Sequence, residues 1–108
     1  MQSLDQTQGR KPLDGIRVLD FTRVLSGPYC TALMADIGAD VIKIESPNGD
    51  DYRHVGPFIG GESALFHNVN RGKRSIVLDL KTDRAQHIAL ALVETADVLV
   101  ENFRPGVM

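Results

Sequence analysis

Four short, mostly apolar runs recur along the chain, and each ends at an acidic residue. They are Ile16–Leu19 before Asp20, Val41–Ile44 before Glu45, Ile76–Leu78 before Asp79, and Val98–Val100 before Glu101. Runs this short and this rich in valine and isoleucine read as buried strands, and the stretches between them are long enough to hold helices. Strand and helix in alternation imply right-handed crossovers and a mostly parallel sheet covered on both faces. The expected fold class is therefore α/β. In such sheets ligands bind beyond the carboxyl ends of the strands, where the crossover loops converge, so the strand ends are the places to search for a site.

Taken in order, residues 1–11 are polar and read as a loose tail, with Pro12–Gly15 as a turn. Ile16–Asp20 is the first strand. Ser26 or Gly27 is placed to cap a helix that has Pro28 near its first position and runs to Ile37, and Gly38 stands where a left-handed terminal residue is needed. Asp40–Glu45 is the second strand. Ser46–Glu62 is rich in Gly, Pro, Asn and Asp and has no apolar periodicity, so it reads as a long excursion, either a cover for a site or a contact surface. Ser63–Val69 is a candidate short helix, and Asn70–Arg74 a basic turn into the third strand, Ser75–Asp79. Thr82 can cap a helix in which Ala85, Ile88, Ala89 and Leu92 fall at i, i+3, i+4 and i+7. It hands over to the fourth strand near Ala96.

The formal charge of −2, with no long run of either sign, gives no general attraction for nucleic acid or an anionic membrane, so any anion must be bound locally. Cys30 is the only cysteine, which excludes an internal disulfide and suits a reducing cytoplasm. No run approaches the length of a membrane span. Cys30 is expected to be a small buried thiol rather than a nucleophile, and His54, His67 and His87 show no metal-ligand spacing.

After three of the four strand-end acids a base follows closely: Arg23 after Asp20, Lys81 after Asp79, Arg104 after Glu101. Gathered on one rim, these bases would suit a polyphosphate ligand. Charges at strand ends can equally serve solubility alone, and the pattern by itself leaves both open. Asn102-Phe103-Arg104 offers amide, flat face and fixed charge before Pro105 and Gly106 turn the chain, a set that suits a nucleotide. The first strand-to-helix turn has a single glycine, Gly27, and lacks the G-x-G-x-x-G of dinucleotide folds, while Asp20 has no acidic neighbour for the magnesium site of a receiver domain. Arg71, Lys73 and Arg74 could meet a phosphate or form a solvated turn.

Four blocks carry a family resemblance: P-L-D-G-I-R-V-L-D-F-T-R-V-L-S-G-P-Y-C (Pro12–Cys30), G-A-D-V-I-K-I-E (Gly38–Glu45), N-R-G-K-R-S-I-V-L-D-L-K-T (Asn70–Thr82) and A-D-V-L-V-E-N-F-R-P-G-V (Ala96–Val107). In order and spacing the chain resembles the family III CoA-transferases, the CaiB/BaiF-like family that includes formyl-CoA transferase and an acyl-CoA racemase branch. The resemblance implies a Rossmann-like sheet with flanking helices, residues 12–108 being the amino-terminal part of a CoA-binding large domain in a longer, interlocked homodimer. It implies that Arg23, Val24, Leu25 and Ser26 lie along CoA, that the stretch from Leu78 to Lys81 borders its adenine and phosphates, and that Asn102, Phe103 and Arg104 line the same cleft. Some relatives have histidine where this chain has Arg23, and arginine where it has Ser46.

The resemblance also implies a reaction between an acyl-CoA and a carboxylic acid. The transferases use an aspartate nucleophile whose place in the family is beyond Met108, so none of Asp20, Glu45, Asp79 and Glu101 is nominated, and no metal or permanently bound cofactor is expected. Two alternatives stand beside this one: an acyl-CoA racemase of the same family, and a non-catalytic nucleotide-binding module.

Overall fold

At the centre of the molecule are two strands that hydrogen-bond on both sides, β1 (Arg17–Asp20) and β2 (Asp40–Glu45). The structure, a computed structural model, describes residues 10–103; the expected tail over 1–11 lies outside them except for its last two residues, as does Arg104. β1 pairs in parallel with β2 from Arg17↔Asp40 to Asp20↔Lys43, and on its other side with β6 (Val98–Val100). β2 pairs in parallel with β5 (Arg74–Val77), giving the order β5-β2-β1-β6. The sheet therefore grows from β1 through β2 to β5, and the chain then returns to the other side of β1.

Alternation along the strands divides the core in two. Val18 and Val41 face helix α1 (Ser26–Asp36) and pack with Ala39, Met34 and Ala35. Leu19, Ile42 and Ile44 face the opposite way, onto Ala85 and Ala89 of helix α3 (Asp83–Thr95). The expected α/β sandwich is thus present, with the helices on opposite faces. The periodicity read for α3 holds at three of its four positions, since Ala85 and Ala89 are buried and Leu92 packs against the same core while Ile88 stays exposed. Thr82 does cap α3, its hydroxyl accepting from the Ala85 amide at 3.2 Å.

The start of α1 differs from expectation. The helix begins at Ser26 with Leu25 at the capping position and no side-chain cap, while Pro28 lies in the first turn, where its missing N–H is not needed. Gly38 has the expected left-handed backbone, φ +112°. Cys30 is exposed, not buried: Pro28, Thr31 and Ala32 are the residues of α1 turned to the sheet, so position 30 faces outward.

The excursion has structure that its composition did not announce. A 3-10 turn (Asp51–His54) leads to a hairpin of β3 (Phe58–Ile59) and β4 (Glu62–Ser63), joined by Gly60 and Gly61, both at positive φ as a tight primed turn requires. Helix α2 (Ala64–Asn70) follows, with Ser63 Oγ accepting from the Phe66 amide at 3.1 Å.

Candidate functional site: a cleft where the strand order reverses

β1 has β2 on one side and β6 on the other, and a crevice lies at the carboxyl ends of the four strands, lined by residues from the ends of β1 and β2 and from the loops after β5 and β6. Side-chain hydrogen bonds staple the loops after β1 and β6 together. Asn102 Oδ1 accepts from the Arg23 amide at 3.1 Å, and Asn102 Nδ2 donates to the Arg23 carbonyl at 2.9 Å. The Arg23 guanidinium lies 5.0 Å from the centre of the Phe103 ring, a cation–π contact that fixes both side chains. Glu101 turns the β6 loop by accepting from the Phe103 amide at 2.8 Å.

The crevice is a cleft of about 330 Å³ whose apolar surface comes from Phe21, Ile44, Leu78, Leu80 and Phe103, with Arg23 and Lys81 beside it. Lys81 belongs to a tight turn after β5, where its amide donates to Asp79 Oδ1 at 3.2 Å and the Thr82 hydroxyl to the Asp79 carbonyl at 2.9 Å. Among the described residues neither Arg23 nor Lys81 is in an ion pair, which leaves both charges available to an anion. Of the residues expected along CoA, Arg23, Leu78, Lys81 and Phe103 line the cleft. Asn102 joins its loops, Val24, Leu25 and Ser26 form an exposed rim next to Arg23, and Arg104 lies outside the described residues. Sequence reasoning missed Phe21 and Ile44, which supply much of the apolar surface, while Leu80 lies within the expected stretch from Leu78 to Lys81. Ile44 was legible only as one position of a strand.

The four strand-end acids do not form one set. Asp79 and Glu101 follow the edge strands and are exposed, whereas Asp20 and Glu45 follow the central strands and are buried. Asp20 accepts from the Thr22 amide and hydroxyl at 2.8 and 2.5 Å, from Thr31 Oγ1 at 2.7 Å, and pairs with Lys73 Nζ at 2.8 Å. Burial pushes its carboxyl up, but Lys73 and the two threonines outweigh that and hold it below the usual aspartate value. Glu45 is opposed by burial in the same way, yet a fork from Arg53 with both bonds at 2.7 Å, Ser75 Oγ and the Asp50 amide lower it to about 2.

The basic turn is likewise committed. Lys73 is buried against Asp20, Arg71 pairs with Asp36 at 2.6 Å and Arg74 with Asp40 at 2.7 Å, so the phosphate role left open for this cluster is not supported by its geometry. A charged residue in the middle of an apolar strand, Lys43 in Val41-Ile42-Lys43-Ile44, was the signal for a buried ion pair. It meets Asp50 of the excursion at 2.9 Å. Among the described residues no cluster of His, Cys, Asp and Glu could hold a metal ion, and no helix is long and apolar enough to cross a membrane.

Known proteins match this arrangement. The model of CoA-transferase family III covers residues 13–108. The chain is 57% identical over 101 residues to a succinyl-CoA:mesaconate CoA-transferase of Haloarcula hispanica, covering 89% of this chain and 26% of the relative. It is 55% identical over 98 residues to an acetyl-CoA:oxalate CoA-transferase of Acetobacter aceti, covering 90% and 25%. The crystal structure of a CaiB/BaiF family protein from Brucella suis superposes with a TM-score of 0.85 at 46% identity, over 90% of this chain and 27% of that one. The chain thus spans about a quarter of the length of the relatives it matches. With a family model spanning the four strands and the cleft they open, this chain belongs to CoA-transferase family III.

Proposed function

We propose that the full-length protein transfers CoA between carboxylic acids, and that residues 12–108 are the amino-terminal part of the domain that holds CoA. The observation that carries this reading is the pairing of two cations without an ion-pair partner among the described residues, Arg23 and Lys81, with the Phe103 face across an apolar cleft at the strand-order reversal. A flat apolar slot suits an adenine ring, and cations at its edge suit the phosphates. Asn102 and the rim Val24–Ser26 complete the proposed CoA site, with Arg104 following Phe103 in the chain. The relatives' names support an acyl-CoA donor and a carboxylic acid acceptor, and favour the transferase over the racemase.

No acid of this chain is assigned the covalent step. Asp20 and Glu45 are buried and engaged, and Asp79 and Glu101 accept hydrogen bonds within their own turns. In this reading an aspartate outside residues 1–108 attacks the thioester carbonyl, the C–S bond breaks to release the CoA thiolate and leave the acyl anhydride, and the part of residues 12–108 is to seat the nucleotide. The same reading takes the enzyme as a cytoplasmic homodimer.

Calorimetric titration of CoA into the full-length protein tests the site. Arg23→Ala and Lys81→Ala should each weaken binding by about 1–3 kcal/mol, as expected when a charge-assisted contact is lost, and Arg104→Ala should behave alike. Unchanged affinity in both Arg23→Ala and Lys81→Ala removes the cleft as the CoA site.

A further inference from the structure

Beneath the Arg23 loop, on the α1 face of the sheet, lies a buried pair that the site described above does not use. Asp50, 1% exposed, sends Oδ2 to Lys43 Nζ at 2.9 Å, while its Oδ1 accepts from the Tyr52 amide at 2.9 Å and from the Val24 amide at 3.4 Å. Lys43 Nζ also donates to the Thr22 carbonyl at 3.0 Å. The pair therefore grips the backbone on both sides of Arg23. Between those grips Val24 sits at φ +75°, a left-handed conformation that costs a β-branched residue energy and persists only where its surroundings impose it.

We propose that Asp50, acting with Lys43, is a positioning residue for the CoA site: the pair clamps Thr22 and Val24 and so holds the left-handed turn that sets Arg23 against Phe103. This inference rests on the CoA reading of the cleft. It also gives the excursion a role, because Asp50 comes from that segment and reaches under the nucleotide rim from the other face of the sheet. Without the clamp Val24 relaxes toward ordinary backbone, Arg23 leaves the cleft, and only a fraction of molecules is competent to bind.

The test replaces the buried pair by apolar residues, Lys43→Met with Asp50→Leu, a change that leaves no unpaired buried charge. Wild type, this double variant, Val24→Gly and the triple variant are compared as full-length proteins in CoA titrations, with thermal melting to confirm folding. The double variant should lose about tenfold in affinity if the competent fraction falls to a tenth. In the Val24→Gly background the same change should cost less than about twofold, because glycine holds positive φ without strain. Where Arg23→Ala weakens CoA binding, wild-type affinity in the double variant, or an equal loss in both backgrounds, overturns the clamp. A second measurement needs neither CoA nor a variant: hydrogen exchange of the Val24 amide in the unliganded wild-type protein. Slow exchange is expected, and exchange at the rate of a free loop overturns the clamp even if a variant fails to fold. A protein that ignores Arg23→Ala yet shows a protected Val24 amide refutes the CoA reading and leaves the clamp standing.

Discussion

Replacing Asp20 with asparagine keeps the side chain's shape and removes its charge. Lys73 would then keep two neutral acceptors, the Pro28 carbonyl at 3.0 Å and Asn70 Oδ1 at 2.8 Å, and lose the carboxylate at 2.8 Å, with its own side chain 2% exposed. Breaking a buried pair from one side costs about 3–5 kcal/mol, most of it the desolvation of the remaining charge. The loss should depend on pH in a defined sense. Burial already lowers the Lys73 pKa below its ordinary 10.5, with Asp20 pulling it back up, so removing Asp20 lowers it further. Between that lowered value and 10.5 the unfolded chain binds more protons than the native one, so stability rises with pH and the variant recovers toward wild type. Denaturant unfolding of full-length wild type, Asp20→Asn and Asp20→Asn/Lys73→Met, compared at equal slope, reads the effect, and the double variant should regain most of the loss. A single variant within about 1 kcal/mol of wild type at neutral pH would refute the assignment of Lys73 as a buried, charge-compensated ammonium. So would a loss that stays flat as the solution turns alkaline.

Two further outcomes follow from neighbouring residues. Glu45, lowered from 4.5 to about 2, contributes on the order of 2–3 kcal/mol that is fully present above pH 4.5 and lost as pH falls toward 2, so the stability gap between wild type and Glu45→Gln should close across that window in acid unfolding. A gap independent of pH would show that the Arg53 fork does not hold the carboxylate. Gly27→Ala puts a methyl group 2.5 Å from Thr22 Cβ, against a side chain already fixed to Asp20, and should destabilise by about 1–3 kcal/mol; a neutral outcome in thermal melting would mean that α1 shifts freely at its start.

The strands and the α3 core were legible because each is written locally, whereas the order β5-β2-β1-β6 was not. The apolar runs Val18-Leu19 and Val41-Ile42 need burial, and Thr82 with Ala85 and Ala89 announces a capped, one-sided helix. What could not be read is whatever depends on which strand becomes central. Asp20 and Asp79 look alike in sequence, yet one ends a central strand and is sealed under α1 while the other ends an edge strand and meets water. Lys73 looked like part of a basic turn, and only the fold brings it to an acid more than fifty residues earlier. The excursion hid its contribution for a related reason: a single inward residue, Asp50, carries no periodicity. That Arg23, Lys81 and Phe103 line one cleft was legible because all three follow strand ends, where the crossover loops of a parallel sheet converge.

The placement of β6 beside β1 has a consequence for how the chain reaches this state. Val18 pairs with Val41 within a short span, but its other partner is Val98, about eighty residues later, and Val18 and Leu19 are both fully buried once pairing is complete. During synthesis the innermost strand is therefore among the first made and the last to be enclosed, and for most of that time one side of it offers unpaired amides and carbonyls to any passing strand. The molecule's most protected segment at the end is its most vulnerable one on the way there, and a helper that masks residues 17–20 until residue 100 has emerged would raise the yield of folded protein more than one acting on any other strand.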